Sequence, residues 1–222
     1  MELIRGLHNL RARHHGCVAT IGNYDGVHRG HRAVLDQLTE QSRCLGLPST
    51  VMIFEPTPRE FFAPGQAPPR IASPREKLED LAGTGVERAL CVRFDARFAA
   101  LSPRDFITRI LVDGLGVRYL AVGDDFRFGH RREGDFALLQ EAGKTQGFEV
   151  CNLPAYCLDG VRVSSTRSRE ALAAGDMRLV RQLLGRPYRI GGRVVSGQRL
   201  GRKLGVPTVN LPLYQRRAIR YG

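Results

Sequence analysis

The feature that most constrains the fold is a regular alternation between short apolar runs and longer segments with helical periodicity. The strand-like runs cover residues 17–22, 49–54, 89–94, 119–122 and 148–153, and helical patterns such as 30–45 and 136–144 lie between them. Such alternation predicts an α/β fold of the Rossmann type, with helices on both faces of a parallel sheet. Ligands of these folds bind at the carboxyl ends of the strands, so the chemistry is expected in the segments that follow the runs.

Helix start signals refine this pattern. Residues 73–76 read S-P-R-E, with Ser as N-cap, Pro at the first helical position and Glu at the third, and residues 102–105 read S-P-R-D. Both tetrapeptides predict the beginning of a helix. The Pro-rich stretch 56–69 is interpreted as a loop.

The last quarter of the chain changes character. Helices are predicted over residues 165–174 and, capped by Asp176, up to about residue 184. The string Gly185-Arg186-Pro187 breaks the helical pattern, and the sequence then becomes Gly-rich and strand-like. We therefore expect one domain over residues 1–185 and the first part of a second over residues 186–222.

The charge of the chain is unevenly distributed. Residues 1–160 carry 20 basic and 20 acidic side chains, whereas residues 161–222 carry 14 basic side chains against Glu170 and Asp176, which accounts for the net charge of +12. A basic end favours anionic partners such as nucleotides, nucleic acid or acidic membranes. It is equally what a domain would show if its acidic residues lay outside this stretch.

Two classes of protein are disfavoured by the sequence. No apolar run approaches the ~20 residues that span a bilayer, and residues 1–13 lack the apolar core of a secretory signal. The five cysteines are odd in number and form no Cys-x-x-Cys pair, and three of them fall in strand-like runs. Reduced, buried thiols in a cytoplasmic protein are therefore expected.

The most informative motif follows the first apolar run. Residues 21–31 read I-G-N-Y-D-G-V-H-R-G-H and lead into a helix. Its glycines permit tight turns and close approach of a ligand, and a helix N-terminus attracts phosphate. His28 and His31 are three residues apart and can face one bound group. Solvated histidines, or a zinc site completed by His14 or His15, are the alternatives, but those two precede the strand and would lie at its opposite end.

A second candidate phosphate site lies at residues 162–169, R-V-S-S-T-R-S-R. Hydroxyl and N–H groups at the start of a helix can hold phosphate, with Arg169 one turn further on. A simple N-cap with a solvated Arg face would explain the same string taken alone. Its expected position, at the same sheet edge as the histidines, favours the phosphate interpretation.

These motifs together resemble a known family. The string H-x-G-H after a first strand is similar to the motif of the nucleotidyltransferase superfamily, and the longer G-N-Y-D-G-V-H-R-G-H resembles the prokaryotic bifunctional riboflavin kinase/FMN adenylyltransferases. Residues 54–62 (F-E-P-T-P-R-E-F-F), 122–129 (V-G-D-D-F-R-F-G) and 162–169 match further family segments in the same order. The resemblance covers essentially the whole chain. It implies that ATP and FMN are converted to FAD and pyrophosphate.

The resemblance also implies roles for particular residues. Catalysis is assigned to His28 and His31. ATP contacts are implied for Gly22, Asn23, His28, His31, Arg162, Ser165, Thr166 and Arg169. Flavin contacts are implied for Asp125, Phe128 and Phe62, although some relatives carry Asn where Asp125 stands and His where Thr57 stands. Mg²⁺ is expected to accompany the triphosphate.

The end of the chain resembles the start of a riboflavin kinase domain. Residues 192–210 contain its Gly-rich stretch and a P-T-x-N motif, in which Thr208 and Asn210 are implied to help hold Mg-ATP. A hairpin with turn glycines would explain the string alone. Because the family's kinase barrel needs many further residues, we expect the 222-residue polypeptide to make no FMN from riboflavin, whereas the complete parent protein would.

Two other functions remain open at this point. One is a different adenylyltransferase or a synthetase-like activation domain, which would share H-x-G-H but not the G-D-D-F-R-F-G and P-T-x-N strings. The other is a nucleic-acid-binding protein that uses its basic end. Few aromatic residues interleave with those basic residues, which are Arg193, Arg199, Arg202, Lys203, Arg216, Arg217 and Arg220. We therefore expect small-molecule substrates and neither a nucleic-acid nor a membrane partner.

Overall fold

The computed structural model describes residues 1–123, 125–195, 205–206, 209–213 and 216–219. The strands are β1 (Glu2–Arg5), β2 (Cys17–Ile21), β3 (Ser49–Glu55), β4 (Arg88–Arg93), β5 (Val117–Val122), β6 (Glu149–Asn152), β7 (Cys157–Leu158) and β8 (Val161–Arg162). The α-helices are α1 (Arg29–Leu45), α2 (Pro58–Phe62), α3 (Pro74–Ala82), α4 (Ala96–Ala99), α5 (Pro103–Asp105), α6 (Phe136–Gln146), α7 (Ser165–Ala174) and α8 (Met177–Leu184).

The core of the fold is a six-stranded sheet in the order β1-β4-β3-β2-β5-β6, and every neighbouring pair is parallel. The strand order reverses beside β2, whose neighbours are β3 and β5, and this is the point at which doubly wound sheets bind ligands. The predicted α/β class is confirmed. The edge strand β1 was not anticipated, because its four residues mix charged and apolar side chains.

Both faces of the sheet are covered, as expected for a parallel sheet. Along β2, Cys17 and Ile21 belong to one core with the helical segment Phe106–Val112 and α6, whereas Val18 belongs to the other core with α1 and α3. Successive strand residues point to opposite faces, so one strand can serve both cores. The fully buried β2 therefore has no polar face.

The loop predicted over residues 56–69 is partly wrong, because α2 begins within it. Thr57 is the N-cap of α2, and its side chain and that of Glu60 form a reciprocal capping box with Pro58 at the first helical position. The string T-P-R-E thus carries the same signal as S-P-R-E at residues 73–76, which does start α3. The other predicted start, at Ser102, leads into the short α5, which continues as a π-helix.

The basic end of the chain packs against α3. Arg189 contacts Glu79 and Asp80 at 3.4 and 3.0 Å, Arg186 also pairs with Asp80, and Arg217 pairs with Glu76 at 2.6 Å. Part of the positive charge after residue 160 is therefore balanced by acids of the first domain. The sequence suggested that the acidic partners of this basic stretch lie elsewhere. For these three arginines, the acidic partners lie on α3.

The cysteine expectation is only partly met. All five cysteines are free, but only Cys17 is buried, while Cys44 and Cys157 are exposed. Among the described residues, no helix has both the length and the apolarity that a membrane crossing requires.

Candidate active site

The loop after β2 turns sharply toward α1. Tyr24 and Val27 have positive φ values of 48° and 38°, and Gly26 has a φ of 82°. Two non-glycine residues in this conformation are unusual, and such strained backbone is typical of functional sites. The tertiary structure holds the loop through Asp25, whose buried carboxylate accepts the backbone N–H groups of Ile71 and Ala72 at 3.1 to 3.2 Å.

His28 ends this loop as the N-cap of α1. Its Nδ1 accepts the backbone N–H of His31 at 3.2 Å, so the ring proton of the neutral imidazole sits on Nε2. The two imidazoles stack with centroids 3.6 Å apart. Burial lowers the pKa of His28 to about 4, and burial, followed by the nearby His28 ring, lowers the pKa of His31. Both rings are therefore neutral at pH 7.

His31 carries an unused polar atom. Its Nδ1 is buried and has no hydrogen-bond partner among the described residues, and the ring also rests against Tyr24 at 4.8 Å. Buried polar atoms in native proteins nearly always have a partner, so this nitrogen is an exception that distinguishes the His31 ring. His31 lines the polar cavity described below, whereas His28 lies behind it.

The start of α7 faces the same loop. Ser164 is the N-cap of α7, and its side chain accepts a hydrogen bond from the backbone N–H of Arg167. The side chains of Ser165 and Thr166 therefore do not serve as the cap and can contact other partners. Ser165 Oγ donates to the Asp25 carbonyl at 3.2 Å, and Arg169 donates to the Asp25 carboxylate at 2.7 Å. These bonds connect the start of α7 to the loop after β2.

Between these elements lies a polar cavity of about 310 Å³. His31, Ser165, Thr166 and Arg169 line it, together with Asn23 and Lys77. The residues come from four separate parts of the chain and carry mainly hydrogen-bond donors. A cavity of this size and chemistry suits the phosphates of a nucleotide.

A second, larger cavity of about 790 Å³ adjoins the first. Its wall contains seven phenylalanines, which are Phe54, Phe62, Phe94, Phe98, Phe106, Phe126 and Phe128. Phe126 stacks on the buried Phe128 at 5.6 Å and 16°, whereas Phe62 is 67% exposed. Aromatic walls of this kind favour a flat, conjugated ligand.

The two cavities share Asn23 and Arg59 in their walls. Asn23 follows Gly22 after β2, and Arg59 lies in the first turn of α2. The Arg59 side chain makes no hydrogen bond or ion pair among the described residues. A ligand in the aromatic cavity and a ligand in the polar cavity would therefore meet beside these two residues.

The structure brings most of the predicted site residues together. The implied ATP residues Asn23, His31, Ser165, Thr166 and Arg169 line the polar cavity, and the implied flavin residues Phe62, Asp125 and Phe128 line the aromatic cavity, as does Gly22.

Three predicted residues that the structure describes are in neither cavity wall: His28, Arg162 and Asn210. Arg162 is in neither wall, although its guanidinium lies 3.9 Å from the exposed Asp125 carboxylate. Asn210 is exposed and forms an isolated antiparallel bridge with Val195, which agrees with a hairpin. Thr208 lies outside the described residues, as do Arg199, Arg202, Lys203 and Arg220.

The sequence did not reveal five charged residues of the polar cavity: Asp25, Arg59, Glu60, Arg70 and Lys77. Arg70 donates to Glu60 at 2.5 Å and to Glu55, which fixes α2 against β3. Burial alone would raise the pKa of Glu60, but hydrogen bonds from Arg70 and Thr57 lower it to about 2. The capping box of α2 was the one sequence signal that could have drawn attention to Glu60 and hence to Arg70.

The zinc alternative finds no support in the described part of the chain. His14 is buried, but its Nε2 contacts Glu2 at 3.1 Å near the amino ends of the strands. Within the residues that the structure describes, no group of three or more His, Cys, Asp or Glu side chains is placed to hold a metal ion.

The doubly wound sheet, with the H-x-G-H segment at its strand ends, defines the chain as a nucleotidyltransferase of the α/β class. The family model described as FAD synthetase matches residues 10–167, and the model described as riboflavin kinase matches residues 184–222. The chain belongs to the bifunctional riboflavin kinase/FMN adenylyltransferase family, and its kinase portion is partial.

Similar proteins agree with this assignment. Bifunctional riboflavin kinase/FMN adenylyltransferases from Pseudomonas fluorescens, Escherichia coli K12 and Haemophilus influenzae are 58%, 56% and 47% identical to it. The matches cover 98%, 96% and 97% of this chain and 70%, 68% and 70% of those relatives. A crystal structure described as a macrolide-efflux protein from Streptococcus pneumoniae has a TM-score of 0.83 at 27% identity, covering 99% of this chain and 71% of that one.

Proposed function

We propose that this chain transfers the AMP moiety of ATP to FMN through the two adjoining cavities, with the triphosphate in the polar cavity and the flavin in the aromatic one. The observation that carries the proposal is their junction at Asn23 and Arg59. The reaction joins two phosphates, so the reacting groups must meet between a nucleotide site and a flavin site. A junction lined by an amide and an unpaired guanidinium suits two anionic groups.

On the nucleotide side, Ser165, Thr166 and the first N–H groups of α7 hold the β- and γ-phosphates. The positive end of the helix dipole favours this position. Arg169 is fixed by Asp25 and presents its charge to the same phosphates. Gly22 and Asn23 let the backbone approach the nucleotide, and Arg162 would have to move to join them.

On the flavin side, Phe128 forms a buried wall and Phe62 an exposed one, so that the isoalloxazine ring can lie between them. Asp125 stands at the rim with 73% of its side chain exposed. We assign it a hydrogen bond to a polar group of the flavin.

The reaction itself requires little acid–base chemistry. A phosphate monoester is already largely ionised at neutral pH, so an oxygen of FMN attacks the α-phosphorus without a general base. The new P–O bond forms as the bond to the bridging oxygen breaks, and its electron pair leaves with pyrophosphate. Neutral His31 donates a hydrogen bond to the phosphate as negative charge shifts onto its oxygens. His28 holds the His31 ring in place by stacking against it.

Magnesium enters this proposal with the substrate. The described residues gather no cluster of metal ligands, and we assign the ion to the phosphates of the substrate. Mg²⁺ retains several waters and is commonly carried by nucleotide phosphates. It would neutralise charge on the triphosphate, and no protein step described above depends on its position.

The first test is incubation of the purified chain with FMN, ATP and magnesium, followed by chromatography for FAD, with riboflavin in a parallel reaction. We expect FAD from FMN and no FMN from riboflavin. Failure of a well-folded chain to make FAD would refute the assignment for this polypeptide. FMN formation from riboflavin would refute only the expectation that its kinase portion is inactive.

The proposal includes no nucleic-acid partner, since Arg217 is buried in an ion pair and Arg189 contacts two acids of α3. We also place the protein in the cytoplasm. Its five free cysteines suit a reducing compartment.

A further inference from the structure

A single buried amine stands in the wall of the polar cavity. Lys77 lies in the second turn of α3, is only 1% exposed, and is among the largest fully buried side chains. Burial of an ammonium group is costly unless the charge is compensated. Lys77 lines the polar cavity, where a charged ligand could supply that compensation.

The protein itself compensates Lys77 poorly. Its Nζ lies 4.0 Å from Glu55 Oε2, beyond hydrogen-bond distance, and makes no hydrogen bond within the described residues. Both oxygens of Glu55 already accept from the guanidinium of Arg70. Burial lowers the pKa of Lys77, while the charges of Glu55 and Asp25 oppose this effect.

Two of the other cations of the cavity already have protein partners, whereas Arg59, at the junction with the aromatic cavity, is unpaired among the described residues. Arg70 is occupied by Glu55 and Glu60, and Arg169 by Asp25 and the carbonyl of Pro69. Lys77 therefore brings three unused N–H donors on a rigid helix. Its charge is also close enough to His31 to contribute to the lowered pKa of that ring.

We infer that the Lys77 ammonium group binds the phosphate chain of ATP beside His31 and stabilises the leaving pyrophosphate. This inference rests on the function proposed above. The negative charge that develops on the bridging oxygen, as its bond to the α-phosphorus breaks, lies next to a fixed cation. Such preorganised charge stabilises a transition state strongly because it needs no rearrangement. Lys77 is thus a substrate-contacting residue of the adenylyl transfer.

The kinetic test compares Lys77→Met, which keeps the length of the side chain, with Lys77→Arg, which keeps the charge. We expect Lys77→Met to lower kcat for FAD synthesis about 10²-fold at saturating ATP, with the Kd of FMN unchanged, and Lys77→Arg to recover part of the loss. The exposed Lys144→Met on α6 is the matched control. A purely structural Lys77 would lower thermal stability and leave kcat of the folded fraction intact.

A second measurement needs no variant of Lys77 and covers the case in which Lys77→Met does not fold. The chain contains only three lysines, Lys77, Lys144 and Lys203, so a ¹³Cε-lysine NMR spectrum is simple. Titration of the wild-type chain with pyrophosphate should shift the Lys77 signal and leave that of Lys144 in place. An unmoved Lys77 signal at saturating pyrophosphate would overturn the inference. Absence of FAD synthesis by the wild type would instead count against the proposed function.

Discussion

At the scale of single residues, the proposed chemistry depends on the two neutral, stacked imidazoles of His28 and His31. His31 lines the polar cavity, and its buried Nδ1 has no partner among the described residues. The aromatic cavity does not include His31 and meets the polar cavity at Asn23. Replacing His31 with Ala should therefore lower kcat about 10²-fold or more and leave the Kd of FMN unchanged. His8→Ala, outside both cavities, serves as control. Equal losses in turnover and FMN binding would contradict the assigned role.

The pKa of His28 predicts a pH dependence of stability. Its folded value of about 4 lies below the ordinary 6.5, so the unfolded chain binds this proton more readily. The contribution of His28 to the free energy of unfolding is therefore fully favourable above pH 6.5 and is lost as the pH falls from 6.5 toward 4. His28→Asn keeps an N-cap acceptor that does not titrate, and should make urea-unfolding free energies less steeply pH-dependent in that window.

The control for this experiment is His130→Asn, which alters an exposed histidine and should keep the wild-type slope. An unchanged slope in His28→Asn would mean that the buried ring does not resist protonation in solution.

At the scale of elements, α2 forms part of the wall of the aromatic cavity, and its first turn is held by hydrogen bonds and ion pairs. Its capping box and Arg70 fix Thr57 and Glu60, whereas Phe62 at its last turn projects with most of its surface exposed. Because Phe62 contributes little to the core, Phe62→Ala should leave folding intact. Loss of one aromatic wall should raise the Kd of FMN about tenfold and leave the KM of ATP unchanged.

Fluorescence titration of FMN measures this effect, with Leu45→Ala as an exposed apolar control on α1. An unaltered FMN affinity in Phe62→Ala would show that Phe62 of α2 does not contact the flavin.

At the scale of the whole molecule, the C-terminal segment is joined to the wall of the polar cavity through buried contacts. Arg217 pairs with Glu76, and both side chains are at most 5% exposed. The backbone of Arg70 exchanges two hydrogen bonds with residues 216 and 218. Residues 216–218 fall within the region matched by the riboflavin kinase family model, and they thus stabilise the segment that carries Arg70.

Removal of one partner from a buried ion pair leaves the other charge uncompensated. Arg217→Met should therefore lower the free energy of unfolding by about 3 kcal/mol, measured by urea denaturation. The double variant Arg217→Met with Glu76→Gln should recover part of that loss, because the carboxylate is then absent. Arg216→Met, at an exposed position next to it, is the control. Equal stability of Arg217→Met and Arg216→Met would show that the pair does not hold the segment.

Local sequence signals account for much of the fold. Apolar runs located five of the six strands of the main sheet to within a few residues, and Asp176 marked the start of α8 as predicted. The short elements escaped because their signals were weak or disregarded: β1 mixes charges with apolar residues, and the capping box at Thr57 was obscured by the surrounding prolines. The predicted nucleotide and flavin residues largely meet in two cavities, since strand ends gather at one sheet edge.

The sequence by itself determined the α/β class, five strands of the main sheet with the longer helices between them, and the family, because periodicity and motifs are local properties of the chain. Only the tertiary structure decided which charged residues are buried. Glu76, Lys77 and Asp80 all lie on the inward side of α3, where a helical pattern would favour apolar side chains. Arginines from distant parts of the chain compensate the two acids, and Lys77 is left facing the polar cavity. Charge compensation depends on contacts between residues far apart in the sequence, which no local pattern encodes.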